Sequence, residues 1–439
     1  MKRIPYSFIL ASILLFTRTG RAETITLSLR EAVGRALADG TAVRIAAESV
    51  GAARADTRIA RASLLPTLET SVSGSDQITN FKTFGFIPPG SSNLAGPFST
   101  FDARISAAAK LIDVAALRRY QASRHSIAVS DRDREATEND VAAAVATLYV
   151  SMQRAGAKVE QAKANVTLFE KLRDLAKDQE KAGVAIRVDT LRAEVQLARE
   201  KQALVVAQND LDAARLGLLH AIGADLGTEV RLSDPLHEVD PAFTAAEEAL
   251  SVAEATRPEL GAFRERVRAA NLRTSAAWAE RLPTIGVQAF ASANGNGPND
   301  LDATYTAGGV VSMPIFSGGR IEGEVAAARA AASQADLRQI EIRRQIAEEV
   351  RRSLLAYQSA KSRVGLAAEN ANLARAELDV ARDRFSNGLS TSIEVDNAQT
   401  AMSAAENARI DALADEAQAI VDMQRATGTI RDLLPSGTR

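Results

Sequence analysis

Ile346–Phe385, IAEEVRRSLLAYQSAKSRVGLAAENANLARAELDVARDRF, decides the fold. Apolar or small residues recur at Ile346, Val350, Ser353, Tyr357, Ala360, Val364, Ala367, Ala371, Ala374, Leu378, Ala381 and Phe385, in strictly alternating steps of four and three. A straight helix has 3.6 residues per turn, so a sustained repeat of 3.5 means helices that coil left-handedly around their neighbours. Five of the twelve seam positions are alanine, which predicts close approach. Arg343-Arg344 and Arg351-Arg352 lie opposite the seam, among Glu341, Glu348 and Glu349, and read as a solvated face.

The composition agrees with that reading. Only 4% of the 439 residues are aromatic although 46% are hydrophobic, the balance of alanine-rich helices. Residues 1–22 read as a secretory signal: Lys2 and Arg3, an apolar run from Ile4 to Phe16, then Gly20-Arg21-Ala22. Without that segment, 49 basic residues face 55 acidic ones, a net charge near −6 that argues against nucleic acid as a partner. The chain has no cysteine, which excludes disulfides, thiolate metal sites and cysteine nucleophiles. His125, His220 and His237 have no metal-ligand spacing, and no phosphate loop or nucleophile motif stands out, so neither catalysis nor a cofactor is expected.

Two copies of one unit make up the chain. Laid on itself so that Pro66 meets Pro283, the sequence brings Ala60–Thr67 (ARASLLPT) onto Ala277–Thr284 (AWAERLPT). Each proline ends a helix and opens a stretch of period-two alternation. Leu68, Thr70 and Val72 oppose Thr67, Glu69 and Ser71; Phe101, Ala103 and Ile105 oppose Thr100, Asp102 and Arg104. In the second copy, Ile285, Val287 and Ala289, and then Tyr305, Ala307, Val311 and Met313, play the same part. Loops are expected over Asp76–Pro97 and Asn294–Asp302.

The expected organisation is a first repeat over 23–222, a connector over 223–243, a second repeat over 244–430 and a tail over 431–439. The first repeat holds helices 29–39 and 41–65, a β-hairpin over about 67–112, a long helix 114–182 and a return helix 188–221, with Leu197, Leu204, Leu211 and Leu218 at seven-residue intervals. The second holds an opening helix, a hairpin over about 284–316, a long helix 318–387 and a return helix 392–427. The fold class is mostly α with a small β part. The entering part, 29–65, and the returning part, 188–221, together match the long helix 114–182 in length, so the unit is a rod with strands at one end and a glycine turn at the other. Four strands cannot close on themselves, and open edges are not tolerated in lipid. Three chains supply twelve strands, enough for a barrel.

These features are similar to those of the TolC-like outer-membrane efflux proteins, or outer membrane factors, over essentially the whole mature chain. The resemblance rests on Gly183-Val-Ala-Ile-Arg-Val-Asp189-Thr-Leu-Arg-Ala193 beside Gly388-Leu-Ser-Thr-Ser-Ile-Glu394-Val-Asp-Asn-Ala398, on Arg61–Leu68 and Glu280–Ile285, and on Pro314-Ile-Phe-Ser-Gly-Gly-Arg320. It implies a homotrimer with a twelve-stranded β-barrel in outer-membrane lipid and an α-helical tunnel through the periplasm. Such proteins are passive exit ducts of tripartite efflux or type I secretion systems, joined through a periplasmic adaptor to an inner-membrane pump. By position, Gly183, Val184, Gly388 and Leu389 would form the adaptor-contacting tips. Asp189, Glu394, Asp396 and Asn397 would lie at the periplasmic entrance, where Asn397 departs from the family's second acid. First-turn acids are also what a helix dipole favours on its own. A periplasmic coiled-coil adaptor and a structural envelope protein are the alternatives, although an adaptor would carry one hairpin rather than two copies.

Overall fold

The structure is a computed structural model that describes residues 24–85, 93–238, 243–387 and 389–433. The signal expected at 1–22, Gly388 and residues 434–439 of the tail lie outside the described residues. The chain runs β1 (Thr24–Leu27), α1 (Leu29–Asp39), α2 (Thr41–Ala62), β2 (Thr67–Asn80), β3 (Leu94–Ile112), α3 (Val114–Lys181), α4 (Arg187–Ala221), β4 (Glu229–Leu232), α5 (Ala246–Thr256), α6 (Pro258–Ala279), β5 (Thr284–Gly297), β6 (Asp300–Ser312), α7 (Arg320–Ser386) and α8 (Ser392–Thr427).

The duplication is visible in the element bounds. The shift that lays Pro66 on Pro283 also lays α1, α2 and the first residue of β2 on α5, α6 and the first residue of β5. Pro66 and Pro283 each stand in the residue just before a strand. A proline cannot extend the helix and biases its predecessor toward extended backbone, so it marks the helix-to-strand change. After the hairpins the offset is smaller at the start of α3 and α7, because the first hairpin has the longer loop.

The helix seam is buried as its periodicity requires. Ile346, Val350, Ser353, Tyr357, Ala360, Val364, Ala371, Ala374, Leu378 and Ala381 are all buried, while Ala367 and Phe385 are half-buried. This face of α7 packs on α8; α3 packs on α4 and also touches α8. Nearer the strands, α2 packs on α3, α3 on α6, and α6 on α7. Arg343, Arg344, Arg351 and Arg352 face outward.

Several boundaries differ from expectation. α2 ends at Ala62 rather than Leu65, and residues 63–66 form a turn closed by Leu64 N–H donating to Arg61 O (2.9 Å). The loops are shorter than Asp76–Pro97 and Asn294–Asp302, because β2 extends to Asn80 and β5 to Gly297, leaving two residues between β5 and β6. Polar and glycine residues read as loop can continue a ladder whose partner strand is already in place, and a register shift at Gly295/Gly297 absorbs the bend. β6 stops at Ser312 and α7 starts at Arg320, so 313–319 is an irregular link.

The chain also holds more than four strands. β1 pairs in parallel with β4, inside the stretch read as an irregular connector. Strands this short give no periodicity signal, and the whole first repeat separates one from the other. Leu27 and Val230 join Ala32, Val33, Ala36, Tyr149, Leu218 and Leu219 in the largest apolar cluster of the molecule, which lies part-way along α3. Tyr149 O–H reaches Leu27 O (3.1 Å) and Asp234 Oδ2 (3.0 Å), while Leu29 N–H donates to the same carboxylate oxygen (3.0 Å). Burial and the Asp234 hydrogen bond push the Tyr149 hydroxyl up to about 12.

Candidate functional site

Two parts of the molecule bear on the expectations drawn from the resemblance: the sheet and the helix tips. The sheet is fully antiparallel in the order β2-β3-β5-β6, so the two hairpins join through β3 and β5, leaving one edge of β2 and one of β6 free among the described residues. Its register sorts the side chains into two unlike faces. One carries the cross-strand rows Leu68-Ala107-Ala289-Ala307, Thr70-Ile105-Ala291-Tyr305 and Val72-Ala103-Ala293-Ala303. The other carries Glu69-Ser106-Phe290-Thr306, Ser71-Arg104-Ser292-Thr304 and Ser73-Asp102-Asn294-Asp302.

Leu68, Val72, Ile105, Val287, Tyr305 and Val311 are exposed on the apolar face. No described part of the chain covers them. On the polar face Arg104 pairs with Asp102 (2.7 Å) and stacks over the Phe290 ring (4.8 Å), and Ser292 and Thr304 share a hydrogen bond (2.8 Å). The sequence shows Asp102 and Arg104 as a polar face but not this cluster, which arises from β3–β5 pairing across the repeats. Strands of 13 residues or more exceed the ~9–11 that cross a bilayer. No helix among the described residues is long and apolar enough to cross a membrane.

The strand order continues into the helices. Each strand of the sheet joins one helix, and the helices pack as α2-α3-α6-α7, so sheet and helices form one continuous wall, open among the described residues at the same two edges along both.

At the far end, both long helices close in one manner. Gly183 takes the left-handed conformation (φ 76°), its N–H donates to Glu180 O (3.0 Å), and the Val184 N–H reaches back to Gln179 O (3.0 Å). In the second copy the Leu389 N–H reaches Arg384 O (2.8 Å), a loop of the same span. Val184 and Leu389 are 77% and 71% exposed. Ile186, Val188, Leu191 and Ile393 are exposed nearby, which gives the tips an apolar surface.

The four residues expected at the entrance are not one cluster. Glu394 pairs with Arg384 across its own turn (3.3 Å), and Arg187 does likewise with Glu180 (3.5 Å) in the first copy. Asp189 lies near Arg192 (3.6 Å) on the same helix turn. Asp396 is half-buried, and that burial pushes its carboxyl above the usual range, with Asp189 adding to the rise and Arg192 opposing it. The charges of Asp189 and Arg192 in the first copy thus act on Asp396 in the second, whereas Asn397 is exposed.

A family model described as "Outer membrane efflux protein" matches residues 32–224 and 249–429. The chain belongs to the outer membrane efflux protein family. It is an outer-membrane protein with its helices on the periplasmic side. The probable efflux pump outer membrane protein SepC of Pseudomonas putida is 28% identical over 308 residues, covering 68% of this chain and 61% of SepC, so the chain spans about three-fifths of that relative. The alkaline protease secretion protein AprF of Pseudomonas aeruginosa is 24% identical over 404 residues, 88% of this chain and 81% of AprF. The fold is similar to that of the CmeC outer membrane channel of Campylobacter jejuni, with a TM-score of 0.80 at 19% identity, covering 94% of this chain and 90% of CmeC.

Proposed function

We propose that three copies close edge to edge into a twelve-stranded barrel continued by a helical tunnel, and that the assembly is a passive exit duct across the outer membrane. The observation that carries this reading is the open sheet: its polar and apolar faces suit a wet lumen and lipid, and its free edges β2 and β6 are unpaired in a setting where unpaired backbone costs several kcal/mol per group. Because strands alternate in direction from β2 to β6, β6 of one copy meets β2 of the next antiparallel, as the rest of the ladder requires.

The tips supply the second half of the reading. Val184 and Leu389, with the neighbouring Gly183 and Gly388, would dock a periplasmic adaptor that links the duct to an inner-membrane pump. Glu394, Asp396 and Asp189 would narrow the periplasmic entrance around the tunnel axis. SepC by its name serves an efflux pump and AprF protease secretion, so both small molecules and polypeptides fit a duct whose pump selects the cargo.

The test is electrical. Purified protein added to a planar lipid bilayer should give discrete conductance steps. Protein that inserts without conducting, or does not insert, contradicts the duct.

A further inference from the structure

The two copies of the repeat differ where strands become helices, and the difference falls at the open edges. β3 passes to α3 through one residue, Asp113, but β6 passes to α7 through seven, Met313-Pro-Ile-Phe-Ser-Gly-Gly319. Within that link Ile315 is 96% exposed and Phe316 90%, and Met313 is exposed too. No other described pair of neighbouring apolar residues is so uncovered.

The opposite edge is unlike its own repeat in a complementary way. Where α6 turns into β5, Glu280 pairs with Arg119 of α3 on one side and with Arg320 of α7 on the other (3.0 Å), and Arg281 pairs with Glu322 (3.1 Å). At the equivalent turn of the first copy, from α2 into β2, Ser63-Leu64-Leu65-Pro66 replaces Glu280-Arg281-Leu282-Pro283. Leu65 is 48% exposed. The inner turn is locked by ions on both sides, whereas the outer turn has Ser63 and the half-buried Leu64 in place of that charged pair, next to Leu65, which is more exposed than its equivalent Leu282.

Both features lie at one level of the wall. Ser312, the last residue of β6, pairs with Thr284, which follows Pro283, and Thr67 follows Pro66 in the same way. Antiparallel closure of β6 on β2 brings the 313–319 link of one copy beside residues 63–66 of the next.

We propose that Ile315 and Phe316 pack against Leu64 and Leu65 of an adjoining copy, forming three apolar clasps around the junction of barrel and tunnel. This inference rests on the three-copy reading and adds the contact that seals it. Desolvating two large side chains on leucine supplies attraction where the sheet edge ends and the helix seam has not begun. Leucines at the outer turn suit that contact, as the charged pair Glu280-Arg281 suits an inner turn with ionic partners on both sides.

The chain has no cysteine, so an engineered pair cross-links without background. Leu65→Cys combined with Phe316→Cys, oxidised in native membranes, should give covalent dimers and trimers on a non-reducing gel, while each single variant stays monomeric. Phe316→Ser should lower the temperature at which the trimer separates. Phe316→Trp in a Trp278→Phe background should be quenched little by brominated lipid. A double variant that has three-chain mass in detergent but forms no intermolecular disulfide overturns the clasp and leaves the duct standing. Strong quenching at position 316 also overturns it, by placing the side chain in lipid. If the unsubstituted protein is monomeric, the duct reading and the clasp fall together.

Discussion

Arg257 is buried although it is an arginine, and it holds three elements at once. Its Nη1 donates to Arg425 O and Ala426 O (both 3.1 Å) at the end of α8 and to Glu349 of α7 (3.0 Å), while Nε donates to Glu259 (3.0 Å). Helix-end carbonyls have no partner within the helix, and a guanidinium satisfies them with charge of the favourable sign. Arg257→Gln should cost about 3 kcal/mol, in line with breaking a buried charge pair, read as a lowered midpoint of thermal unfolding. Only the break before Pro258 was legible in the sequence; the role of Arg257 was not, because its partners on α7 and α8 lie 92 to 169 residues away. The tip acids separate into two behaviours. Burial raises the Asp396 carboxyl above its ordinary value of 3.8, so the fold disfavours its charge: the penalty is absent in acid, sets in as pH rises past that value, and is complete above the folded value. Asp396→Asn should therefore slow amide exchange in the first turns of α4 and α8 at neutral pH and change nothing in acid below that ordinary value. Equal effects in both conditions would exclude the charge as the cause. Glu394 is exposed and ion-paired within its turn, so its test is transport. Glu394→Ala should alter single-channel current and cation block, and unchanged current and block would remove it from the entrance.

At the scale of elements, the heptad at 346–385 and the internal duplication were legible because both repeat a local pattern many times over. A single misfit such as Ser353 does not erase a seam of twelve positions, and Ser353 settles its hydroxyl by donating to Val350 O (2.9 Å). Strand ends were less legible. Asp76 reads as the start of a loop, yet Ser73, Gly74, Ser75 and Asp76 pair in register with Asp102, Phe101, Thr100 and Ser99. In a sheet with two solvated or lipid-bathed faces, polar residues on one side are compatible with strand, so composition alone cannot mark the turn. β1 and β4 were illegible for another reason: their stability comes from the cluster around Tyr149, assembled from segments distant in sequence. The tip turns depend on one conformation. Gly183 has φ 76°, and a β-branched side chain there costs about 1–2 kcal/mol. Gly183→Val should loosen the α3–α4 turn, seen as faster exchange at the Val184 amide, with little change in global unfolding, since the adjoining residues are solvent-exposed. A large drop in overall stability would mean that the tip is part of the core rather than a docking end.

The whole molecule is a wall rather than a globule, and the proposed duct depends on that. Its strand and helix orders coincide; among the described residues its apolar sheet face is uncovered, and its two long borders carry unpaired backbone in the strands and exposed Ile45, Ile59, Leu337 and Ile340 in the helices. The repeats show what those borders lack. Ala262 and Ala276 of α6 are buried between two neighbouring helices, while Ile45 and Ile59, their equivalents on α2, have a neighbour on one side alone among the described residues. In the duct proposed above, a second copy would supply the missing side, and three copies would return the wall to its start. The direct measurement is the mass of the mature protein in detergent by light scattering with the detergent contribution subtracted. Three chains per particle is the predicted result; a single chain, soluble without detergent, would contradict the account.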